Sequence, residues 1–104
     1  MTKNTSIKKL NIEGKYNDFS DFYDVNKVII YNNILKLFEN FKNKEKEHII
    51  LRLSANIENI EWKTNLEFSR EDIYVLERDI LPYFEELEEY ETCDKITKLY
   101  ESIK

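Results

Sequence analysis

Glycine, proline, cysteine, methionine, histidine and alanine each occur once in these 104 residues, and each scarcity removes a class of function. With Cys93 alone, no intrachain disulfide can form, and nothing points to an oxidising compartment. With Gly14 alone, there is no glycine-rich loop to cradle a phosphate. Any metal site or proton relay would rest on His48 by itself or on carboxylates, so no metal and no cofactor are expected. The acidic residues lack the loop glycine of a calcium site. No apolar run exceeds Val28 to Tyr31, far short of a membrane span, and Lys3, Lys8 and Lys9 precede no signal-like apolar stretch. A soluble cytoplasmic protein with no membrane contact is the expectation.

What the chain does have is bulk and charge. Hydrophobic residues make up 41% and aromatics 13%, enough for a packed core despite 36% charged residues. With so few small residues, large side chains must fill that core. At this length one domain buries about two-thirds of its unfolded surface, so residues 1–104 read as a single domain. Residues 1–15 form either a flexible arm or a short edge strand. Lysine outnumbers arginine thirteen to three, and isoleucine and asparagine abound. That bias follows AT-rich codons, as in a low-GC bacterium or its phage.

Periodicity sets the fold class. Leu10 and Ile12 alternate with polar neighbours before Gly14, which predicts a short strand near residues 8–13. From Ser20 to Asn43, Tyr23, Ile30, Ile34, Leu37, Phe38 and Phe41 recur at helical spacing and make one apolar face. Asp18 or Ser20 suits the start of this helix; Lys42, Lys44 and Lys46 suit its negative end. Ile49, Leu51, Leu53, Ala55 and Ile57 then alternate with polar residues, as do Ile60, Trp62, Thr64, Leu66 and Phe68. A two-residue loop at Glu58-Asn59 pairs every core-facing residue of one run with one of the other. Beyond Ser69 and Asp72, a capping pair, Ile73, Leu76, Ile80, Phe84 and Leu87 follow one helical face. Pro82 must kink or break it near Ile80. Cys93, Ile96, Leu99, Tyr100 and Ile103 define a last helix. The expected architecture is α+β, with the long helix and the C-terminal helices on one face of an antiparallel hairpin.

The clue to function is electrostatic. Glu67 to Asp94 holds eleven carboxylates and only Arg70 and Arg78 as cations, a formal charge of −9 in a chain of −5. Glu67 to Asp72 is explained by a strand's solvent face and a helix start. Glu85, Glu86, Glu88 and Glu89 are harder to explain, because on a continuous helix from Pro82 to Glu91 no lysine follows them at four residues. Solvation of one helix face is the ordinary reading of such charge. The alternative is a contact surface for a basic partner, comprising Asp79, Glu85, Glu86, Glu88, Glu89 and Tyr90. On a continuous helix these charges would approach the linear density of duplex DNA, about one per 1.5–1.7 Å, a nucleic-acid mimic. The same charge argues against direct nucleic-acid binding by that face.

Tyr16, Phe19, Phe22 and Tyr23 interleave with Asp18, Asp21 and Asp24, which suits either a docking segment or the first turn of the long helix. Cys93 with His48 would make a nucleophile–base pair only if the fold joined them, and no local signature says so. An enzyme is not expected. The sequence therefore favours a small inhibitor, of the immunity-protein or phage-antagonist kind, that occludes a basic protein surface. A structural or accessory subunit of a larger assembly is the alternative.

Overall fold

The computed structural model describes residues 5–42 and 46–104. The chain runs β1 (Thr5–Tyr16), α1 (Phe19–Val25), α2 (Lys27–Lys42), β2 (His48–Ile57) and β3 (Ile60–Ser69). A 3-10 turn (Arg70–Ile73) and a π-helical turn (Leu76–Ile80) lead into α3 (Leu81–Glu86) and α4 (Tyr90–Ile103). The fold is α+β, a slab 16 Å in its shortest dimension: one three-stranded sheet with helices over one face.

β2 and β3 form the antiparallel hairpin in the register that alternation dictates, from Ile57 opposite Ile60 to Ile49 opposite Phe68. Glu58 and Asn59 both adopt positive φ (51° and 65°), as a tight two-residue loop between right-twisted strands requires. β1 is longer than its apolar alternation suggests and pairs in parallel with β2, so the sheet order is β1-β2-β3. A parallel neighbour needs a crossover, and α1 with α2 supplies it. Near its end β1 takes two more residues than β2 between Asn11 and Lys15. Gly14 sits in that bulge at φ +130°, where an added Cβ would lie 2.9 Å from the Tyr16 hydroxyl.

The single long helix expected over residues 20–43 is instead two, and Asn26 separates them. Its buried side chain donates from Nδ2 to the Phe22 carbonyl at 2.8 Å, and its own N–H donates there too, which closes α1. Asp18 caps α1 by accepting from the Asp21 N–H at 2.8 Å. Ile30, Ile34, Leu37, Phe38 and Phe41 of α2 are buried over Ile49, Leu51 and Leu53 of β2. Lys42 closes α2; Asn43 and Lys44 lie outside the described residues.

Pro82 falls in the first turn of α3, and the turn before it widens: the Leu81 N–H donates to the Leu76 carbonyl, five residues back. The wider turn accommodates a ring that cannot donate and would crowd the carbonyl four residues earlier. Leu76, Ile80 and Phe84 remain buried, whereas Leu87, expected on the same face, is 46% exposed because the helix ends there.

Arg70 ties the helical layer together. Its guanidinium donates to the Phe41 carbonyl at 2.9 Å and to the Ile103 carbonyl at 2.7 Å. The C-terminal ends of α2 and α4 therefore meet at one cation, and the two helices run alongside each other in the same direction. A positive charge is favoured at both ends because the last carbonyls of each helix lack intrahelical donors.

Candidate functional site

The expected continuous helix from Pro82 to Glu91 does not form, and this changes the acidic site. α3 stops at Glu86, and the chain reverses through Leu87, Glu88 and Glu89 before α4 begins. Glu88 adopts the left-handed conformation (φ 57°). Its N–H donates to the Glu85 carbonyl, and that of Glu89 to the Phe84 carbonyl, both at 3.0 Å. These two bonds satisfy carbonyls that α3 would leave open, the pattern of a left-handed helix stop. Glycine is the usual residue at that position, because a β-carbon there costs about 1–2 kcal/mol. Glu88 occupies it nonetheless.

The four carboxylates thus straddle a corner. Glu85 and Glu86 close α3, where the helix dipole disfavours acids; Glu89 stands at the start of α4 without a side-chain capping bond, and Glu91 lies in its favourable first turn. The uniform spacing that would imitate a nucleic-acid backbone is absent, so the mimic has lost its geometric basis. Among the described residues, none of Glu85, Glu86, Glu88, Glu89 and Glu91 takes part in an ion pair. The pair in α4 with the acid four residues ahead is Asp94–Lys98, at 2.8 Å. Leu87 and Tyr90, 46% and 68% exposed, stand amid the carboxylates as two large exposed hydrophobic side chains. Sequence periodicity misses Leu87, because it presupposes that the helix continues.

Asp79 belongs elsewhere. Arg78 grips its carboxylate by donating from Nε and Nη2, at 3.0 and 2.7 Å, and holds its pKa below the usual carboxylate range. The guanidinium also lies 4.7 Å from the Tyr74 ring centroid. This pair borders a second feature, a cavity of about 430 Å³ beside the π-helical turn, between α1–α2 and β3. Tyr23 and Tyr31 line it, with the Tyr23 hydroxyl donating to that of Tyr31 at 3.4 Å. Burial, then the contact with Tyr31, keeps the Tyr23 phenol protonated well past its ordinary range.

Tyr16 and Phe19 do not join the acidic corner. Tyr16 packs edge-on against buried Phe22 with ring centroids 5.2 Å apart, and its hydroxyl donates to the Glu13 carbonyl at 3.3 Å. Phe19 lies between Tyr23 (6.2 Å) and Trp62 (6.1 Å), beside the hairpin's loop end. Their main role is to seat α1 on the sheet.

No protein-family model, curated protein or solved structure matches this chain. Its chemistry must therefore be read from its own side chains.

Cys93 and His48 face different ways. Strand alternation points His48 away from its neighbour Ile49, which faces the helices, and Cys93 lies in the helical layer. Desolvation, then the charges of Glu85 and Glu89, raises the Cys93 thiol pKa, opposite to what a nucleophile needs. Among the described residues, no group of three or more His, Cys, Asp or Glu side chains is placed to hold a metal ion. No helix among them is long and apolar enough to cross a membrane.

Proposed function

We propose that this protein binds another protein through the α3–α4 corner and acts in the cytoplasm as an inhibitor, occluding a basic surface as immunity proteins and phage-encoded antagonists do. The carrying observation is the corner itself. Five carboxylates that are in no ion pair among the described residues flank exposed Leu87 and Tyr90, at a turn where Glu85, Glu86 and Glu88 work against local stability. A left-handed glutamate and two acids at a helix C-terminus each have cheaper replacements, and such local conflicts concentrate at functional surfaces. An aromatic and a leucine ringed by charge resemble an interface centre with its polar rim. The carboxylates would speed encounter with a basic partner, and the apolar pair would hold it. No step of this mechanism requires catalysis.

The test is capture of host proteins on the immobilised chain, eluted with a salt gradient and compared with E85K/E86K/E89K. A specific basic protein retained by the parent and lost by the variant supports the reading. Retention of the same protein at the same salt by both chains rules out the acidic corner as its contact.

A second reading, an accessory subunit of a larger assembly, draws on the sheet edges. Twelve-residue β1 and ten-residue β3 each have an outer edge with no strand partner among the described residues. A complex of fixed size that persists on dilution in light scattering favours that reading.

A further inference from the structure

The two helices that Arg70 holds side by side leave a groove of about 560 Å³ between α2 and α4. Its floor is apolar, from Leu35, Ile96 and Leu99. Its rim is basic, with Lys36 and Lys42 on α2 and Lys95 and Lys98 on α4, against one carboxylate, Glu39, among the described lining residues. Lys98 is already held by Asp94, but Lys36, Lys42 and Lys95 are in no ion pair among the described residues. In a chain of net charge −5, this groove is a local inversion of sign.

We propose that the groove receives the α3–α4 corner of a second copy of this chain. Leu87 and Tyr90 would lie over the apolar floor, and Glu85, Glu86 and Glu89 against Lys36, Lys42 and Lys95. Complementarity carries the assignment: one surface is acidic around an apolar centre, the other basic around an apolar floor, and among the described residues the corner's carboxylates and Lys36, Lys42 and Lys95 are in no ion pair. The contact is intermolecular of necessity. The corner ends where α4 begins, and the groove runs beside Thr92 to Leu99 of that same helix, so a chain cannot fold its own corner into it. Two different surfaces meet, so the association is head-to-tail, and a second corner is left open for the next copy. The net negative charge of each copy opposes growth, which makes the association reversible. This inference rests on the reading of the corner as a contact surface. It adds that a basic partner and a second copy compete for it.

Sedimentation velocity across a concentration series tests this. The parent chain should show a sedimentation coefficient that rises with concentration. K36E/K95E and E85K/E89K should each weaken association about tenfold or more, from two lost and reversed charge contacts. The chain carrying all four substitutions exchanges the signs and should regain association, a result that misfolding of either parent variant would not produce. R52E, on the open sheet face, is the control and should change nothing. A parent chain that stays monomeric, an exchange variant that fails to recover, or an R52E chain as impaired as K36E/K95E overturns the proposal. Because K36E/K95E leaves the corner untouched, its capture of a basic partner reports on the inhibitor reading separately.

Discussion

Replacing Arg70 by methionine should destabilise the protein far more than the exchange of an ordinary surface cation. The guanidinium makes two charge-assisted bonds, to the Phe41 and Ile103 carbonyls, at the negative ends of α2 and α4. A hydrogen bond involving a charged group contributes about 1.5–3 kcal/mol, and a cation at a helix end about 0.3–1 kcal/mol. Water will reach the freed carbonyls in part, because Arg70 is only partly buried, so the sum falls to about 2–4 kcal/mol. That is a large fraction of the about 5–15 kcal/mol that holds a domain together. The melting temperature should drop by about 10–25 °C, and the urea midpoint should fall with little change in slope. Lysine at the same position keeps the charge but lacks the fork that reaches two carbonyls, so R70K should recover about half of the loss. Hydrogen exchange provides the sharper readout, since amides in the last turns of α2 and α4 should lose protection together. If R70M melts within about 3 °C of the parent, or only one helix end loosens, the bridging role assigned to Arg70 is wrong.

Three further outcomes follow from local geometry. E88G should raise stability by about 0.5–1 kcal/mol in thermal melts, while E88A, which keeps the β-carbon at φ 57°, should gain nothing. E58N/N59G should stabilise the hairpin by about 1 kcal/mol, since both loop residues hold positive φ; an unchanged urea midpoint would contradict that loop geometry. Cys93 should be alkylated by iodoacetamide more slowly than a model thiol near pH 8, and E85Q/E89Q should accelerate it by removing charges that oppose the thiolate. Because the pKa is raised, the parent's alkylation rate should still be climbing at a pH where the model thiol has levelled off.

The hairpin was legible from sequence alone because its signal is a strict period of two, matched on both strands. A one-residue slip would have placed every core side chain on the open face. The buried stripes of α2 and α4 were legible for a similar reason, since Ile30 to Phe41 and Ile96 to Ile103 recur at the helical period. The α3–α4 corner was not. Nothing in Glu85 to Tyr90 carries the glycine that usually announces a helix stop, so periodicity extended the helix through it. The break at Asn26 was hidden likewise, because a buried asparagine bonding back to its own helix looks like any polar residue in the sequence.

By itself, then, the sequence determined an α+β chain, the register of its hairpin and the concentration of acid between Glu67 and Asp94. These are local properties, set by side-chain period and composition. Only the tertiary structure decided that β1 joins in parallel, that Arg70 gathers two helix ends, and that the acids turn a corner around Leu87 and Tyr90. Each of those depends on residues far apart in the chain, or on a backbone conformation that the side chains in question do not prefer. The surface proposed to bind a partner lies among them.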